Sequence, residues 1–328
     1  MTAISNGGVV AINVKFPAES LALQGLKATL NRLSADHPQY SLIFSKYQSK
    51  KAGIAGEKRV EQIFRTHSFL MEHRIIHDLS LHTSAKFQLD TTFLTQAFAL
   101  IFEVKNISGI LTFKENPQQL IREKFSGEVD SFESPATQLE RNMALLREWF
   151  HQQNIHLPVL GVIVLAYPKQ IVKVPPQNVK ILFPNLIPPY IHTLSHYPNK
   201  LDIHMLDLLT NKLLKSHQEY IPPPICENYS ISKEDIQTGV ICPTCKYIGM
   251  NKIPRSWHCT RCRKNNPLAH VQTIREWFLI MGRAMKNQDC REFLQIDNLN
   301  TASRLLKNMN LKTTGTFKDR SYQMDFLH

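Results

Sequence analysis

The chain has 328 residues, of which 43% are hydrophobic and 20% charged, ordinary proportions for a globular protein with room for two or three domains. No basic-then-apolar leader pattern opens it and no run approaches the roughly 18 apolar residues of a membrane span, so the expectation is a cytoplasmic chain with no membrane partner. A net charge of +12 and a pI near 9.4 favour an anionic partner.

Residues 1–50 read as an N-terminal helical lead-in. Leu21, Leu23, Leu26, Leu30 and Leu33 recur at near-helical spacing, which predicts an amphipathic helix packed against the following domain. A second helix is predicted from about Lys51, with Val60, Ile63 and Phe64 as its apolar stripe and Glu57 near its start. Arg74 to Leu81 reads as the first strand.

Phe87 to Gly109, FQLDTTFLTQAFALIFEVKNISG, is rich in Phe, Leu, Val, Ile and Thr and reads as two adjacent strands. An antiparallel hairpin with Thr95 to Phe98 as its loop sets Asp90 opposite Glu103 and Gln88 opposite Lys105. Opposed residues share a face and side chains alternate. One face would then carry Gln88, Asp90, Glu103 and Lys105, and the other Phe87, Leu89, Phe93, Leu100, Phe102 and Val104. Two opposed carboxylates repel unless a cation lies between them. A few hard oxygen ligands, with room for waters and phosphate, suit Mg²⁺ or Mn²⁺. Such an ion polarises a phosphoryl oxygen and lowers the pKa of bound water, the chemistry of phosphodiester cleavage. Lys105 would orient that water or neutralise developing charge. The competing reading is a solubilising Asp/Glu/Lys network on an exposed hairpin.

Ile110 to Phe113 is expected to continue the sheet. A helix is then predicted from Pro135 to about Gln152, with Leu139, Met143, Leu146, Trp149 and Phe150 inward. Gln138, in its first turn, either faces the cleft or caps the helix. Val159 to Ala166 is a continuous apolar run, as expected of a strand buried on both faces. Helices interleaved with a mixed sheet make an α/β domain ending near residue 195.

Asp90 followed by Glu103-Val104-Lys105 resembles the D…ExK core of the restriction-endonuclease-like, PD-(D/E)xK, nucleases. More narrowly, the chain is similar to the nuclease-related domain family, NERD. Gly53-Ile54-Ala55-Gly56-Glu57 matches its GxxGE, Gln88-Leu89-Asp90 its QxD, and Glu103-Val104-Lys105-Asn106 with Gly109 its E-x-K-N followed by Gly. Ser134-Pro135-Ala136-Thr137-Gln138 resembles its Pro-x-x-Gln helix start. The resemblance covers roughly residues 20–170. It implies a restriction-endonuclease-like mixed sheet flanked by helices over residues 51–195, with Asp90 and Glu103 as metal ligands and Lys105 positioning the attacking water. Glu57, Gln88 and Gln138 would be supporting residues. Glu57 is nominated by the resemblance, since a first-turn Glu is common for dipole reasons alone. A similar lead-in accompanies many bacterial members of the family, so residues 1–50 are grouped with this domain. Thr95-Gln96-Ala97 lacks the Gly expected in the hairpin turn, although a longer Gly-free loop is permitted.

Residues 196–235 read as a Pro-rich linker region around a helix from Asp202 to Ser216. His192, His196, His204 and His217 lack ligand spacing. Cys242-Pro-Thr-Cys245 and Cys259-Thr-Arg-Cys262, 13 residues apart, form two thiolate knuckles suited to a tetrahedral, structural Zn²⁺ in a ribbon over residues 236–268. A disulfide framework is disfavoured in a cytosolic chain. Cys226 and Cys290 read as ordinary thiols. Residues 269–328 read as a helical module with helices over Val271–Lys286 and Asp289–Leu294, and a third carrying Ala302, Leu305, Leu306 and Met309 inward with Thr301, Arg304, Lys307 and Asn308 outward. Lys312 to Met324, turning near Gly315, would be a wing bearing Lys318 and Arg320. This resembles a winged helix-turn-helix, in which the recognition helix enters the major groove; a generic three-helix bundle is the alternative. Residues 236–328 hold 15 Lys/Arg against 6 Asp/Glu, a net of +9.

These features point to a Mg²⁺-dependent nuclease with appended DNA-binding modules, acting in DNA processing or repair. The alternatives are a non-cleaving DNA-binding protein with a nuclease-like fold, and an RNA-directed nuclease or adaptor, because phosphate contacts carry no base identity.

Overall fold

The computed structural model describes residues 12–15, 20–316 and 319–326. From the N-terminus the chain runs β1 (Ile12–Lys15), α1 (Leu21–Arg32), α2 (Tyr40–Thr66), β2 (His73–His82), β3 (Lys86–Thr95) and β4 (Ala99–Lys105). It continues through β5 (Ile110–Glu115), β6 (Gln118–Glu123), β7 (Val129–Glu133), α3 (Pro135–Gln152), β8 (Val159–Leu165), β9 (Ile171–Val174), β10 (Lys180–Leu182), α4 (Ile187–Thr193) and α5 (Ile203–Ser216). The C-terminal part adds α6 (Ile225–Asn228), β11 (Asn251–Ile253), β12 (Ser256–His258), β13 (Asn265–Asn266), α7 (Ala269–Ile280) and β14 (Met285–Lys286). Last come α8 (Asn287–Leu294), α9 (Leu299–Lys307), β15 (Lys312–Thr314) and β16 (Ser321–Gln323). Among the described residues no helix is long and apolar enough to cross a membrane.

The chain divides into two compact units. One comprises Met1–Ala18 with Lys51–Tyr220, the other Glu19–Lys50 with Ile221–His328. The first unit is built on a mixed six-stranded sheet of order β1-β2-β3-β4-β8-β10. β3 runs antiparallel to β2 on one side and to β4 on the other, and β8 lies parallel to β4 on one side and to β10 on the other. β8 is buried along Val162–Leu165, as its unbroken apolar run predicts. At Gly161 a Cβ would lie 2.6 Å from Met143 Sδ and 2.8 Å from Leu139 Cδ1, so glycine is what lets α3 approach β8 this closely. Two apolar cores flank the sheet. Leu139, Leu146, Trp149 and Phe150 of α3 pack with Ile101, Val159 and Ile163, while Val60 and Phe64 of α2 pack with Phe93, Leu100, Phe102 and Val104.

Several expectations change here. β1 pairs with β2, so Arg74–Leu81 is not the first strand. Ile110–Phe113 does not continue the main sheet; β5 joins a second sheet of order β7-β6-β5-β9. The chain reaches it through Gly109 at φ 110°, where a Cβ would lie 2.5 Å from the Glu123 carbonyl oxygen. The single apolar face expected of the hairpin is split: Phe87 and Leu89 pack on the α3 side, and Phe93, Leu100, Phe102 and Val104 on the α2 side. The strand beside it holds Asp78 at φ 52°, a left-handed residue that interrupts regular alternation at this point. Residues 196–220 are no linker, because Leu206, Leu209 and Leu213 of α5 are buried in the α3-side core.

In the second unit the lead-in helix finds an unexpected partner. Leu26, Ala28, Leu33 and Ile43 share a core with Ile274, Trp277, Phe278, Phe293 and Leu306. The segment from residue 19 to 50 therefore folds with the C-terminal part of the chain, not with the sheet that follows it. Arg32, 2% exposed, fixes this arrangement: its Nε donates to Glu276 Oε2 at 2.9 Å and its Nη1 to the carbonyls of Gln237 and Gly239. β11, β12 and β13 form one small sheet. α7, α8 and α9 are followed by a second, in which β16 lies between β14 and β15. α7 ends at Ile280, short of the predicted Lys286, because Met285 and Lys286 instead pair with Tyr322 and Ser321. β15 and β16 are antiparallel across a turn containing Gly315 at φ 74°.

Candidate functional site

The β3–β4 register pairs Thr91 with Phe102, Thr92 with Ile101, Phe93 with Leu100 and Leu94 with Ala99, so Asp90 and Glu103 come next, opposite one another. The loop closes without glycine because Thr95 Oγ1 accepts from the Ala97 and Phe98 N–H groups at 3.1 and 2.9 Å, and the Thr95 N–H donates to the Phe98 carbonyl. Past Thr91 the backbone ladder opens, and Asp90 Oδ2 accepts the Val104 N–H at 2.8 Å in its place. Asp90 is thereby pinned beside the end of β4.

Glu103 is 0% exposed. Its Oε1 lies 2.6 Å from Lys105 Nζ, yet neither carboxylate oxygen receives a well-directed hydrogen bond. Lys105 Nζ donates instead to Gln138 Oε1 at 2.9 Å. Burial pushes the Asp90 carboxyl up, with Asp78 adding to the rise and Lys105 and the Val104 N–H opposing it. Burial and the neighbouring Asp90 raise Glu103 to about 7, against the pull of Lys105. For Lys105, burial alone would lower the pKa, but Glu103 and Asp90 outweigh it and hold the ammonium above its ordinary range. The cluster is thus a protonated lysine between two acids whose ionisation is incompletely compensated.

The supporting residues divide. Gln138 joins the centre through Lys105, and the α3 N-cap is Ser134, which accepts from the Ala136 N–H, so Gln138 is not the capping residue. Gln88 does not join Lys105. It pairs with Ser80 of β2, and its amide donates to Asp78 Oδ1 at 2.5 Å. Glu57 is half-buried on α2 beside Gly56, where a Cβ would lie 2.7 Å from Asn106 Cβ. Asn106 itself clamps α2 to the end of β4: its Nδ2 donates to the Ala52 carbonyl at 2.7 Å and its Oδ1 accepts from Arg59 at 2.9 Å. The sequence reading assigned no role to Asn106, Asp78 or Asn142. Asn142, 3% exposed, donates from α3 to the Gln88 carbonyl. The E-x-K-N run was the one available signal for Asn106; Asp78 carried none, because its partners come from another strand.

A divalent cation fits this donor set. Glu103 offers a buried Oε2 without a hydrogen-bond partner, its Oε1 being paired with Lys105, and Asp90 lies opposite. Asp78, on the neighbouring strand, adds a third carboxylate close enough to act on Asp90.

The four cysteines form a different kind of centre. The sulfurs of Cys242, Cys245, Cys259 and Cys262 all lie within 4.8 Å of one another, and among the described residues they are the one group of three or more His, Cys, Asp or Glu so arranged. Cys242 and Cys262 are 3.6 Å apart, as are Cys245 and Cys259. Zinc–sulfur bonds of about 2.3 Å in a tetrahedron place sulfurs about 3.8 Å apart, so the cage could hold that ion. Each C-x-x-C is followed by a left-handed residue, Lys246 at φ 60° and Arg263 at φ 58°, whose N–H donates back to the first cysteine's carbonyl. The two knuckles are therefore built alike.

On α9, Ala302, Leu305 and Leu306 are buried, whereas Arg304, Lys307 and Asn308 are exposed and Thr301 is half-buried. Asn298 caps the helix by accepting the Thr301 N–H at 2.9 Å. Arg320 is exposed near β16, and Lys318 lies outside the described residues. Burial lowers the pKa of Lys252 on β11, and Arg304 lowers it further. The Lys252 ammonium donates to the Ser256 carbonyl at 3.0 Å and lies 5.4 Å over the Trp257 ring, so it is held within the ribbon.

Residues 52–166 match the family model of the nuclease-related domain, NERD. This segment contains Glu57, Gln88, Asp90, Glu103, Lys105 and Gln138. It makes the first unit a carrier of a nuclease-related domain, to which the second adds a four-cysteine cluster able to hold a metal. No curated protein and no solved structure matches the chain.

Proposed function

We propose that the first unit is a divalent-cation-dependent phosphodiesterase acting on DNA, with a restriction-endonuclease-like centre in which Asp90 and Glu103 hold Mg²⁺ or Mn²⁺. The observation that carries this reading is Glu103, buried beside Asp90 with Oε1 paired to the Lys105 ammonium at 2.6 Å and Oε2 buried without a hydrogen-bond partner. Such a group is costly in isolation and suited to binding a cation. The bound ion would supply Lewis-acid polarisation of a phosphoryl oxygen and acidify a water. Lys105, kept protonated by its acidic neighbours, is a donor and not a general base. It would orient the attacking water and offset charge developing on phosphate. Gln138 fixes the lysine head, Asn106 fixes the end of its strand, and Glu57 and Gln88 support the rim.

The second unit would bind the nucleic acid. Its four cysteines suit a structural Zn²⁺, and α9 with the β15–β16 hairpin supports a winged helix-turn-helix reading in which Arg304, Lys307, Asn308, Lys318 and Arg320 meet the DNA. Cytoplasmic DNA processing or repair is the setting this combination fits.

The decisive experiment is cleavage of single- and double-stranded DNA and RNA with Mg²⁺ or Mn²⁺. Asp90→Ala should abolish cutting, and Lys105→Ala should slow it by roughly a hundred- to a thousandfold. DNA binding without metal-dependent cutting would replace the nuclease reading with a non-cleaving one, and preference for RNA would reassign the substrate. Arg304→Ala with Lys307→Ala should weaken DNA binding and reduce the salt slope by about two, if each contacts one phosphate.

A further inference from the structure

Asp78 falls opposite Asp90, because β2 and β3 pair His77 with Thr91 and Leu79 with Leu89. It is half-buried, sits in a strand with φ at 52°, and accepts the Gln88 amide on Oδ1. Asp78, Asp90 and Glu103 thus gather three carboxyl groups about the one side-chain ammonium of Lys105. Arg141 and Glu133, 2.7 Å apart on the border of that cluster, cancel each other. An acidic cluster alone would not define a cation site. Here Glu103 Oε2 is buried, makes no hydrogen bond, and belongs to a carboxylate that interacts electrostatically with Asp90.

We propose that Asp78 is an outer-sphere acid of the divalent-cation centre, its carboxylate accepting a hydrogen bond from cation-bound water beside Asp90. This inference rests on the metal-dependent reading above. Direct ligation is not what the geometry favours: among the described residues only the cysteines bring three ligand atoms close enough together. A strongly hydrated cation meets a more distant carboxylate through its water shell. Outer-shell carboxylates of this kind orient the bound water and raise metal affinity. Gln88 then has a defined task. It fixes Asp78, which explains why its amide turns towards β2 and away from Lys105.

The test is calorimetric titration of Mn²⁺ into the full-length, zinc-loaded protein, comparing wild type with Asp78→Asn and Asp90→Asn. Asparagine keeps the acceptor for Gln88 and adopts left-handed backbone readily, so Asp78→Asn removes the charge and little else. Asp78→Gly, which also tolerates the positive φ, serves as a second variant. The expected result is Mn²⁺ binding abolished by Asp90→Asn and weakened about tenfold or more by both Asp78 variants, with unfolding temperatures not lowered. Wild-type affinity in Asp78→Asn, with Asp90→Asn still abolishing binding, would overturn the role of Asp78 alone. No Mn²⁺ binding by wild type, or none lost in Asp90→Asn, would overturn the metal centre and this inference with it.

Discussion

At the scale of single residues, the centre is organised by what burial does to charge. Glu103 has no exposure and is held near pH 7, whereas its ordinary value is 4.5. Between those values the folded chain retains a proton that the unfolded chain has released. In the metal-free protein, stability should therefore be greatest at the acid end of that window and fall as pH rises through it, by about 1.4 kcal/mol per pH unit for one proton. Asp90, also raised by burial, acts with the same sign. If the proposed cation binds here it must displace the Glu103 proton, so divalent affinity should climb with pH and level off above about 7. Denaturation curves and metal titrations at successive pH values check both trends, and Glu103→Gln should flatten the first. The residues that set this behaviour differ in how readily sequence reveals them. Asp90, Glu103 and Lys105 stand out because hairpin register and alternation bring them together. Asp78 and Asn106 act through hydrogen bonds to Gln88, Ala52 and Arg59, contacts that no local pattern encodes.

At the scale of elements, short motifs define local geometry and packing decides what that geometry supports. Each cysteine knuckle closes its own turn through a backbone hydrogen bond. Cys242 and Cys259 are buried in the core that also contains Trp257, Ile274 and Trp277. With a metal held there, its removal would leave four thiols crowded against that core, among them Cys242, whose pKa burial would raise but hydrogen bonds from backbone N–H groups and neighbouring thiols pull down to about 6. Treatment with a strong zinc chelator should therefore lower the unfolding temperature of the C-terminal unit and raise amide exchange in α7 as well as in the ribbon. Unchanged exchange in α7 after complete metal removal would show that the ribbon does not support the helices. The second sheet illustrates the opposite situation. Ile110–Phe113 has the composition of a continuing strand, but Gly109 redirects the backbone before it, and pairing with β6 and β9 replaces pairing with β4.

At the scale of the whole molecule, the chain groups segments that lie far apart in sequence. Among the described residues, 20–50 contribute Leu26, Ala28, Leu33 and Ile43 to the C-terminal core. The Arg32–Glu276 pair is the polar counterpart of that packing, with the guanidinium also 4.7 Å over the Phe293 ring. Arg32→Met would leave the carboxylate of Glu276, 4% exposed, without its cation. The cost should be about 3–5 kcal/mol in urea denaturation, largely recovered in the double variant Arg32→Met with Glu276→Leu. If Arg32→Met is neutral, the lead-in helix is not locked to the C-terminal unit through this pair.

The sequence by itself determined the features that depend on neighbours along the chain: the hairpin register placing Asp90 against Glu103, the apolar run of β8, the paired cysteine knuckles, and the inward and outward faces of α9. Periodicity, turn chemistry and ligand spacing act over a few residues, so they survive without a fold. Only the tertiary structure decided that the N-terminal helix belongs with the C-terminal unit, that α5 completes the first core, and that β5 opens a second sheet. Those outcomes depend on which apolar surfaces meet. An amphipathic stripe states that a face must be buried but carries no record of the face that buries it.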